Sequence, residues 1–313
     1  MSQRGTSGNR KPKPFLDREK SEADDFRKRI REVRRNRGEP SPLRPIKVAP
    51  KKNRKVHLII GDSHAHHEEP NNRFESLGRM VKSLKPDCVI DIGDSADMSS
   101  LRGFEVGSHE PIFEGHSYWR DIDVYRDARD RFHHYLKGGS SKPRLVKLTG
   151  NHEDRIDRVL KVEPRFRGII SIADLGDEED YGWEVIPFLS PHSIDSVVYS
   201  HYFKARGSSR PVAGIVPTRA VIMKYPGSQT KVFGHTHSFG FFEQADGSPE
   251  NPLNKISVLN AGCYFDLNMS GMDWSGTDIG GWRSGILLIE VEGGQLQGWK
   301  WFDYWDIQRE WGV

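Results

Sequence analysis

Residues 144–155 read RLVKLTGNHEDR. A short apolar run, Leu145, Val146 and Leu148, gives way at Gly150, and four polar side chains follow at once: Asn151, His152, Glu153 and Asp154. A run that ends at Gly and hands over to Asn-His-Glu suggests a loop at the carboxyl end of a sheet strand, where open α/β sheets build their sites. The construction recurs. VHLII at 56–60 leads into Gly61-Asp62-Ser63-His64, and CVIDI at 88–92 into Gly93-Asp94-Ser95-Ala96-Asp97. VVYS at 197–200 runs into His201, KVF at 231–233 into Gly234-His235-Thr236-His237, and ISVL at 256–259 into Asn260-Ala261-Gly262. A lone Gly-Asp is usually a turn, and a lone His after a strand is more often a hydrogen-bonded loop residue than a ligand. Six such strand ends in one chain are hard to reach by chance.

Taken in order, Asp62-Ser63-His64, Gly93 to Asp97, Gly150 to Glu153, the isolated His201 and Gly234 to His237 resemble the calcineurin-like metallophosphoesterases. The family pattern is Asp-x-His, Gly-Asp-x-x-Asp, Gly-Asn-His-Glu/Asp, an isolated His, then Gly-His-x-His. The resemblance covers about residues 56–302 and looks most similar to the phage-encoded and bacterial members, with their longer GNHEDR version. Two departures are Tyr202, where many relatives have Gly, and Asn260-Ala261-Gly262-Cys263, where many have Asn-Pro-Gly-Ser. Both fall near the expected substrate side and leave the expected metal ligands themselves intact.

The resemblance implies an α/β fold, a four-layer α/β/β/α sandwich of two mixed sheets flanked by helices. It implies a dinuclear enzyme that hydrolyses a phosphate ester by metal-activated hydroxide. Carried over position by position, Asp62, His64 and His237 bind the first metal; Asn151, His201 and His235 bind the second; Asp94 bridges. His152 is then free of metal and protonates the leaving oxygen or holds the phosphoryl group, and Asp97 orients a ligand or His152. The chemistry suits the residues. Two cations roughly 3.5–4 Å apart neutralise the phosphoryl oxygens and bring a bound water to a pKa near 7. His, Asp and Asn suit Mn²⁺ first, with Fe, Zn or Ni as alternatives, and there is no soft thiolate cage. One point follows without the resemblance: His235 and His237, two apart in an extended loop, do not readily share a direction, which suits service to two neighbouring metals.

The rest of the chain bounds the reading. At 313 residues it holds one large domain or two small ones. No run of eighteen apolar residues exists, so no membrane span is expected, and the charged N-terminus lacks the apolar stretch of a secretory signal. Two cysteines far apart, Cys88 and Cys263, point to a reducing, cytoplasmic compartment, and the resemblance implies that of a bacterial or phage-infected cell. The net charge of +3 hides an asymmetry: residues 1–55 hold 19 Lys+Arg against 7 Asp+Glu, leaving 28 against 37 in residues 56–313. The expected division is therefore a basic arm, 1–55, disordered or helical, and a metallophosphoesterase domain, 56–313. The arm has a helical stretch at 17–37 with a thin apolar stripe, Phe26, Ile30 and Val33, then a linker at 38–50 with four prolines. It reads either as a nucleic-acid or partner handle or as a solvated helix on a flexible leader.

Helices are expected at 74–84, 120–136 and 154–162, and a hairpin where GILLIEV and QLQGWKWF flank Glu292-Gly293-Gly294. Arg155, on the first turn of the third helix, is a candidate catalytic residue facing the site. The irregular stretch at 101–118 reads as a substrate rim, with His109 and His116 as contacts. Residues 203–217 offer Arg206 and Arg210 as phosphate contacts, since Arg forks suit phosphate. His66 and His67 read as loop or substrate-side residues, and the acidic cluster from Asp174 to Asp180 as a solvated loop, because it lacks the ligand spacing of an EF-hand. The tryptophans near the C-terminus, Trp299, Trp301, Trp305 and Trp311, read as cover for a sheet face. The substrate leans towards a nucleic-acid or nucleotide phosphodiester because of the basic arm. The alternatives are a Ser/Thr protein phosphatase, or a nucleic-acid-binding module with a vestigial metal site.

Overall fold

The computed structural model describes residues 24–29, 32, 54–102, 117–137, 142–204, 207–208, 210–212, 217–225, 227, 229–245, 254–268 and 281–312. It is a mixed α/β fold with two mixed sheets. All six apolar runs form strands, three in each sheet. In the first sheet β1 (Lys55–Ile60), β2 (Cys88–Asp91) and β3 (Arg144–Leu148) are parallel neighbours, and β4 (Glu184–Ile186) continues them. In the second, β5 (His192–Ile194) pairs antiparallel with β6 (Val197–Tyr199), and β6, β7 (Lys231–Phe233) and β9 (Lys255–Ala261) are parallel, with β8 (Phe239–Ala245) antiparallel on β9. The hairpin β10 (Gly285–Glu292) and β11 (Gln295–Asp303) completes the first sheet, β10 lying antiparallel on β1. Continuous burial along β2 and β7 explains why the runs lack alternation: a parallel strand covered on both faces needs apolar residues on both.

The pleat sends side chains to two cores. Ile59, Ile90, Val146 and Leu148 pack with Val197, Tyr199, Val232 and Leu259 of the second sheet. Leu58, Ile60 and Val89, on the opposite face, pack with helices α1 (Asn72–Leu84), α2 (Tyr118–His134) and α3 (Asp154–Val162). On the second sheet, Phe233 and Val258 pack with Val221 and Ile222 of α4 (Pro217–Lys224). Three expected helices are present: α3 with the expected bounds, α1 starting two residues early and α2 shifted by two residues towards the N-terminus.

Four features depart from the sequence reading. Strands β4, β5 and β8 were not expected. Neither was α5 (Tyr304–Trp311), which starts at the Asp303 cap, its side chain accepting from Trp305 N, and buries Ile307 and Trp311. The four tryptophans accordingly do not share one face: Trp311 is buried, whereas Trp299 and Trp305 are 41% and 50% exposed. Residues 24–29 are helical and not merely solvated: Phe26 is buried against Trp119, ring centroids 5.5 Å apart, and Arg27 pairs with Asp174 at 2.9 Å.

The acidic loop is the fourth. Asp177 is buried, 2.9 Å from Lys147 Nζ and 3.1 Å from Arg129 Nε, with the Tyr125 hydroxyl donating to it. Arg129 also reaches Asp91, 2.7 Å away. Lys147 is the charged residue in the middle of β3, and burial tolerates it only because carboxylates surround it.

Candidate metal centre

The parallel strands of both sheets deliver their carboxyl-end loops to one place. Asp62 and His64 follow β1, Asp94 and Asp97 follow β2, and Asn151 and His152 follow β3; His201 follows β6, and His235 and His237 follow β7. The loops approach so closely that side chains would not fit at their turns. A Cβ on Gly150 would lie 2.1 Å from Asp94 Oδ1, and one on Gly234 would lie 2.4 Å from Asp62 Oδ1. Glycine at these two positions is thus a steric requirement. His64, Asp94, His235 and His237 all hold a positive φ, between 39° and 69°, an unusual conformation for non-glycine residues and one concentrated at functional sites.

Three sets of side chains bring their ligand atoms within 4.8 Å of one another: Asp62, His64 and His237; Asp94, His201 and His235; and His64, Asp94 and His152. Their hydrogen bonds show what they are arranged to hold. His64 Nδ1 donates to Asp97 Oδ1, 3.0 Å, which leaves Nε2 as an acceptor, 3.1 Å from His237 Nε2. Asp62 Oδ2 is buried, with His237 Nε2 3.1 Å away. On the other side His201 Nδ1 donates to Ile92 O, 3.0 Å. Its Nε2 then faces two acceptors, Asn151 Oδ1 at 3.0 Å and Asp94 Oδ2 at 3.2 Å, which draw a proton or a cation to this point. Acceptor atoms that converge without protons between them repel one another unless a cation or an extra proton sits among them. The donor set, imidazole nitrogens with carboxylate and amide oxygens, fits borderline divalent metals, so these groups could hold metal ions.

The electrostatics agree. Burial pushes Asp94 up, but His201 and His152 outweigh it and hold the carboxyl well below its usual range. Asp97 is likewise held well below, burial being outweighed by its bonds to His152 and His64. Burial lowers His64, and burial with the neighbouring His201 brings His235 down to about 4, so both remain neutral donors of a lone pair. His201, against its burial, is raised by Asp94 to about 9.

His152 stands apart from the Asp62 set and beside Asp94. Its backbone N donates to Asp94 Oδ1, 2.8 Å, and its Nδ1 lies 2.7 Å from Asp97 O. Burial lowers its pKa, but Asp94 and Asp97 more than offset this, and the result is raised. Arg155 does not extend into open space at the site. It is buried along the His152 ring, Nη1 3.0 Å from Nδ1, and donates to Asp97 O at 2.8 Å. Its place is that of a positioning residue for His152. Arg210 is exposed, and no hydrogen bond or ion pair among the described residues links it to the candidate ligands. His116, His109 and Arg206 lie outside the described residues. His66 and His67 pair with each other, ring centroids 4.2 Å apart, and belong to none of the three sets.

The sequence reading missed the brace beneath the site. Glu153 is fully buried and accepts five bonds: Ser95 N, Ala96 N and Ser95 Oγ at Oε1, and Asp94 N and Gly150 N at Oε2. Lys147 lies 3.4 Å away and, against the effect of burial, helps keep it ionised. The reading also missed Trp282, whose ring meets His237 edge to face at 4.4 Å, and Phe265, 5.8 Å from His64. A cavity of about 540 Å³ lies elsewhere, between Asp130 and His133 of α2 and the turn at Tyr181 and Gly182; it shares no residue with the site.

No family model and no curated protein matches the chain. Among solved structures it is similar to a conserved uncharacterized protein from Streptococcus pneumoniae TIGR4, described as a predicted phosphoesterase, at 12% identity and a TM-score of 0.31. The match covers 81% of this chain and 99% of that one. At that score the likeness carries no argument, and the reading below rests on the site. No helix among the described residues is long and apolar enough to cross a membrane.

Proposed function

We propose that the chain is a dinuclear metal-dependent phosphoesterase, a calcineurin-like enzyme of the phage and bacterial type with the four-layer α/β/β/α packing. The observation that supports it best is the sharing of Asp94. This carboxylate belongs to one set with His201 and His235 and to another with His64 and His152, and His64 itself belongs to the Asp62 set. A carboxylate in that position suits a bridge between two cations. Asp62, His64 and His237 would hold one, and Asn151, His201 and His235 the other, with Mn²⁺ the first choice. When bound, such a pair supplies charge to the phosphoryl oxygens and acidifies water.

The chain's own residues do the rest. Asp97 fixes the His64 ring through Nδ1 and holds the position of His152. A proton held at His152 Nε2, favoured by Asp94, is the one available to a leaving oxygen. Arg155 keeps the imidazole in place. The basic segment 1–55 is proposed as the handle for a nucleic-acid substrate, since residues 56–313 are net acidic and would repel a polyanion.

The test is a panel of an aryl phosphate, a bis-aryl phosphodiester, a phosphopeptide and an oligonucleotide, each run with Mn²⁺, Fe²⁺, Zn²⁺ and Ni²⁺. Turnover of at least one ester, with two metals per chain by elemental analysis, is expected. No turnover across the panel would sink the proposal and favour a binding module. Preference for the phosphopeptide would favour a protein phosphatase on the same site.

A further inference from the structure

The candidate ligand sets differ in access. Asp62, His64 and His237 are buried throughout, whereas His235 and Asn151, on the His201 side, are half-buried. The site therefore opens beside the His201 loop. The wall of that opening is aromatic. The Tyr202 ring lies 4.7 Å from His235 and 5.6 Å from Phe188, which it meets edge to face, and both Tyr202 and Phe188 are half-buried. Arg158 lies 5.8 Å from the Phe188 ring and donates to Asn151 O, tying the wall to the Asn151 loop.

The backbone that carries Tyr202 is held from behind. Ser200 Oγ donates to Tyr202 O at 2.8 Å, and Val212 N donates to Phe203 O at 2.8 Å. Phe203 is buried between Tyr225 and Phe233. Orientation of the ligands does not need the tyrosine. His201 is already fixed by Ile92 O, and the His235 backbone N donates to Asp62 Oδ1. A half-open aromatic face at the mouth of a candidate metal site has the form of a stacking surface.

Building on the phosphoesterase reading, we propose that Tyr202, backed by Phe188, is a stacking platform that selects a nucleoside phosphate, free or at the end of a strand. The base lies on the Tyr202 ring while the phosphate reaches the ligands. Stacking a base on an aromatic side chain is worth about 5–150-fold in affinity, and a phosphate ester without a ring gains nothing from it. A phosphopeptide has no base to place there, so the ring would be neutral towards it.

The experiment uses the full-length chain with Mn²⁺ and two non-hydrolysable probes, the methylenephosphonate analogues of thymidine 5′-phosphate and of 2-deoxyribose 5-phosphate. Affinities are measured by calorimetry for wild type, Tyr202→Leu and Tyr202→Phe, with metal content determined in each. Wild type should prefer the thymidine probe. Tyr202→Leu should weaken that probe by about 5–150-fold and the baseless one by less than about twofold, and Tyr202→Phe should keep the preference. Equal affinity of wild type for both probes, equal losses on both in Tyr202→Leu, or loss of metal from that variant would each overturn the platform. Turnover of the parent esters separates the two readings. Discrimination in binding without hydrolysis of either ester keeps the platform and removes the phosphoesterase. Hydrolysis of both esters without discrimination does the reverse. A tetrathymidylate bearing the same terminal phosphonate, if bound more tightly than the mononucleoside, supports the platform on a strand end; equal binding supports it on a free nucleotide.

Discussion

Glu153→Gln isolates the carboxylate that braces the ligand loops, because it removes charge without removing volume. In the wild type Oε1 accepts from Ser95 N at 2.8 Å and Ala96 N at 3.0 Å, and Oε2 from Gly150 N at 2.9 Å and Asp94 N at 3.1 Å. An amide keeps only one acceptor oxygen. Whichever way it is turned, its NH₂ group faces two backbone N–H donors, and both of those bonds are lost. A hydrogen bond to a charged group contributes about 1.5–3 kcal/mol, so the two together predict a loss of about 3–6 kcal/mol. Lys147 loses one partner but keeps Asp177 at 2.9 Å, which limits any further cost. Urea unfolding of the metal-free protein measures the loss, and a metal titration follows the loops themselves. The lost bonds belong to the loops that present Asp94 or Asn151, so metal affinity should fall along with stability. A variant within about 1 kcal/mol of wild type, with unchanged metal affinity, would refute the brace.

Asp94→Asn should lower the metal content of both positions together, and loss of one metal with retention of the other would remove the bridging role. His152→Ala should keep its metal and lose about 10²–10⁴ in kcat on substrates with poor leaving groups. The loss should shrink on a nitrophenyl ester; an equal loss on both would make His152 a phosphoryl contact and not an acid. His57 is buried between Tyr199 and Asp195, and burial holds its pKa below 6.5. In the window between its folded value and 6.5 the unfolded chain binds more protons, so stability should rise with pH there and level off above it. His57→Gln should flatten that rise in a denaturant series, and an unchanged slope would assign it to other groups. Phe26→Ala should cost up to about 3–5 kcal/mol, the range for a buried Phe, and should speed hydrogen exchange at 24–29; unaltered exchange would mean that the helix is held by Arg27 alone.

Much of the fold and of the candidate site can be read from the chain because both are written at strand ends. A run such as CVIDI followed by Gly-Asp places a carboxylate whatever the distant chain does, and six such runs mark six parallel strands. What escaped depends on contacts between segments far apart. Lys147 looks like a solvent-facing residue in RLVKL until Asp177, thirty positions on, is folded back over it. Asp177 in turn reads as part of a solvated acidic loop until Lys147 and Arg129 are known to be beneath it. Glu153 was visible in the motif, yet its role requires the loop after β2 to cross above it. β8, FGFFEQA, was missed because Gly240 interrupts the run and burial is only partial, so neither alternation nor a continuous apolar stretch stands out. α5 did carry a signal in Asp303 followed by Tyr304, Ile307 and Trp311 at i, i+3 and i+7, but five aromatics in WKWFDYW look like the continuation of a strand.

The same contacts explain how a strained set of candidate ligands can persist. His64, Asp94, His235 and His237 all sit at positive φ, and each such residue costs on the order of 1–3 kcal/mol unless its surroundings impose it. The surroundings here do so from both sheets. His64 N donates to Asp94 O and Ala65 N to Ser95 O, linking the loops after β1 and β2. Asp62 Oδ1 takes the backbone N–H of His235, linking the two sheets across the site. Beneath them Glu153 takes the amides of Asp94, Ser95 and Ala96, and Lys147, Asp177, Arg129 and Asp91 surround it with charges that are themselves paired. Buried ion pairs of this kind add little net stability compared with apolar packing. Their arrangement is better explained by position: they lie directly under the loops whose shape the candidate ligands need, and they hold those loops in a conformation that the backbone alone would not choose.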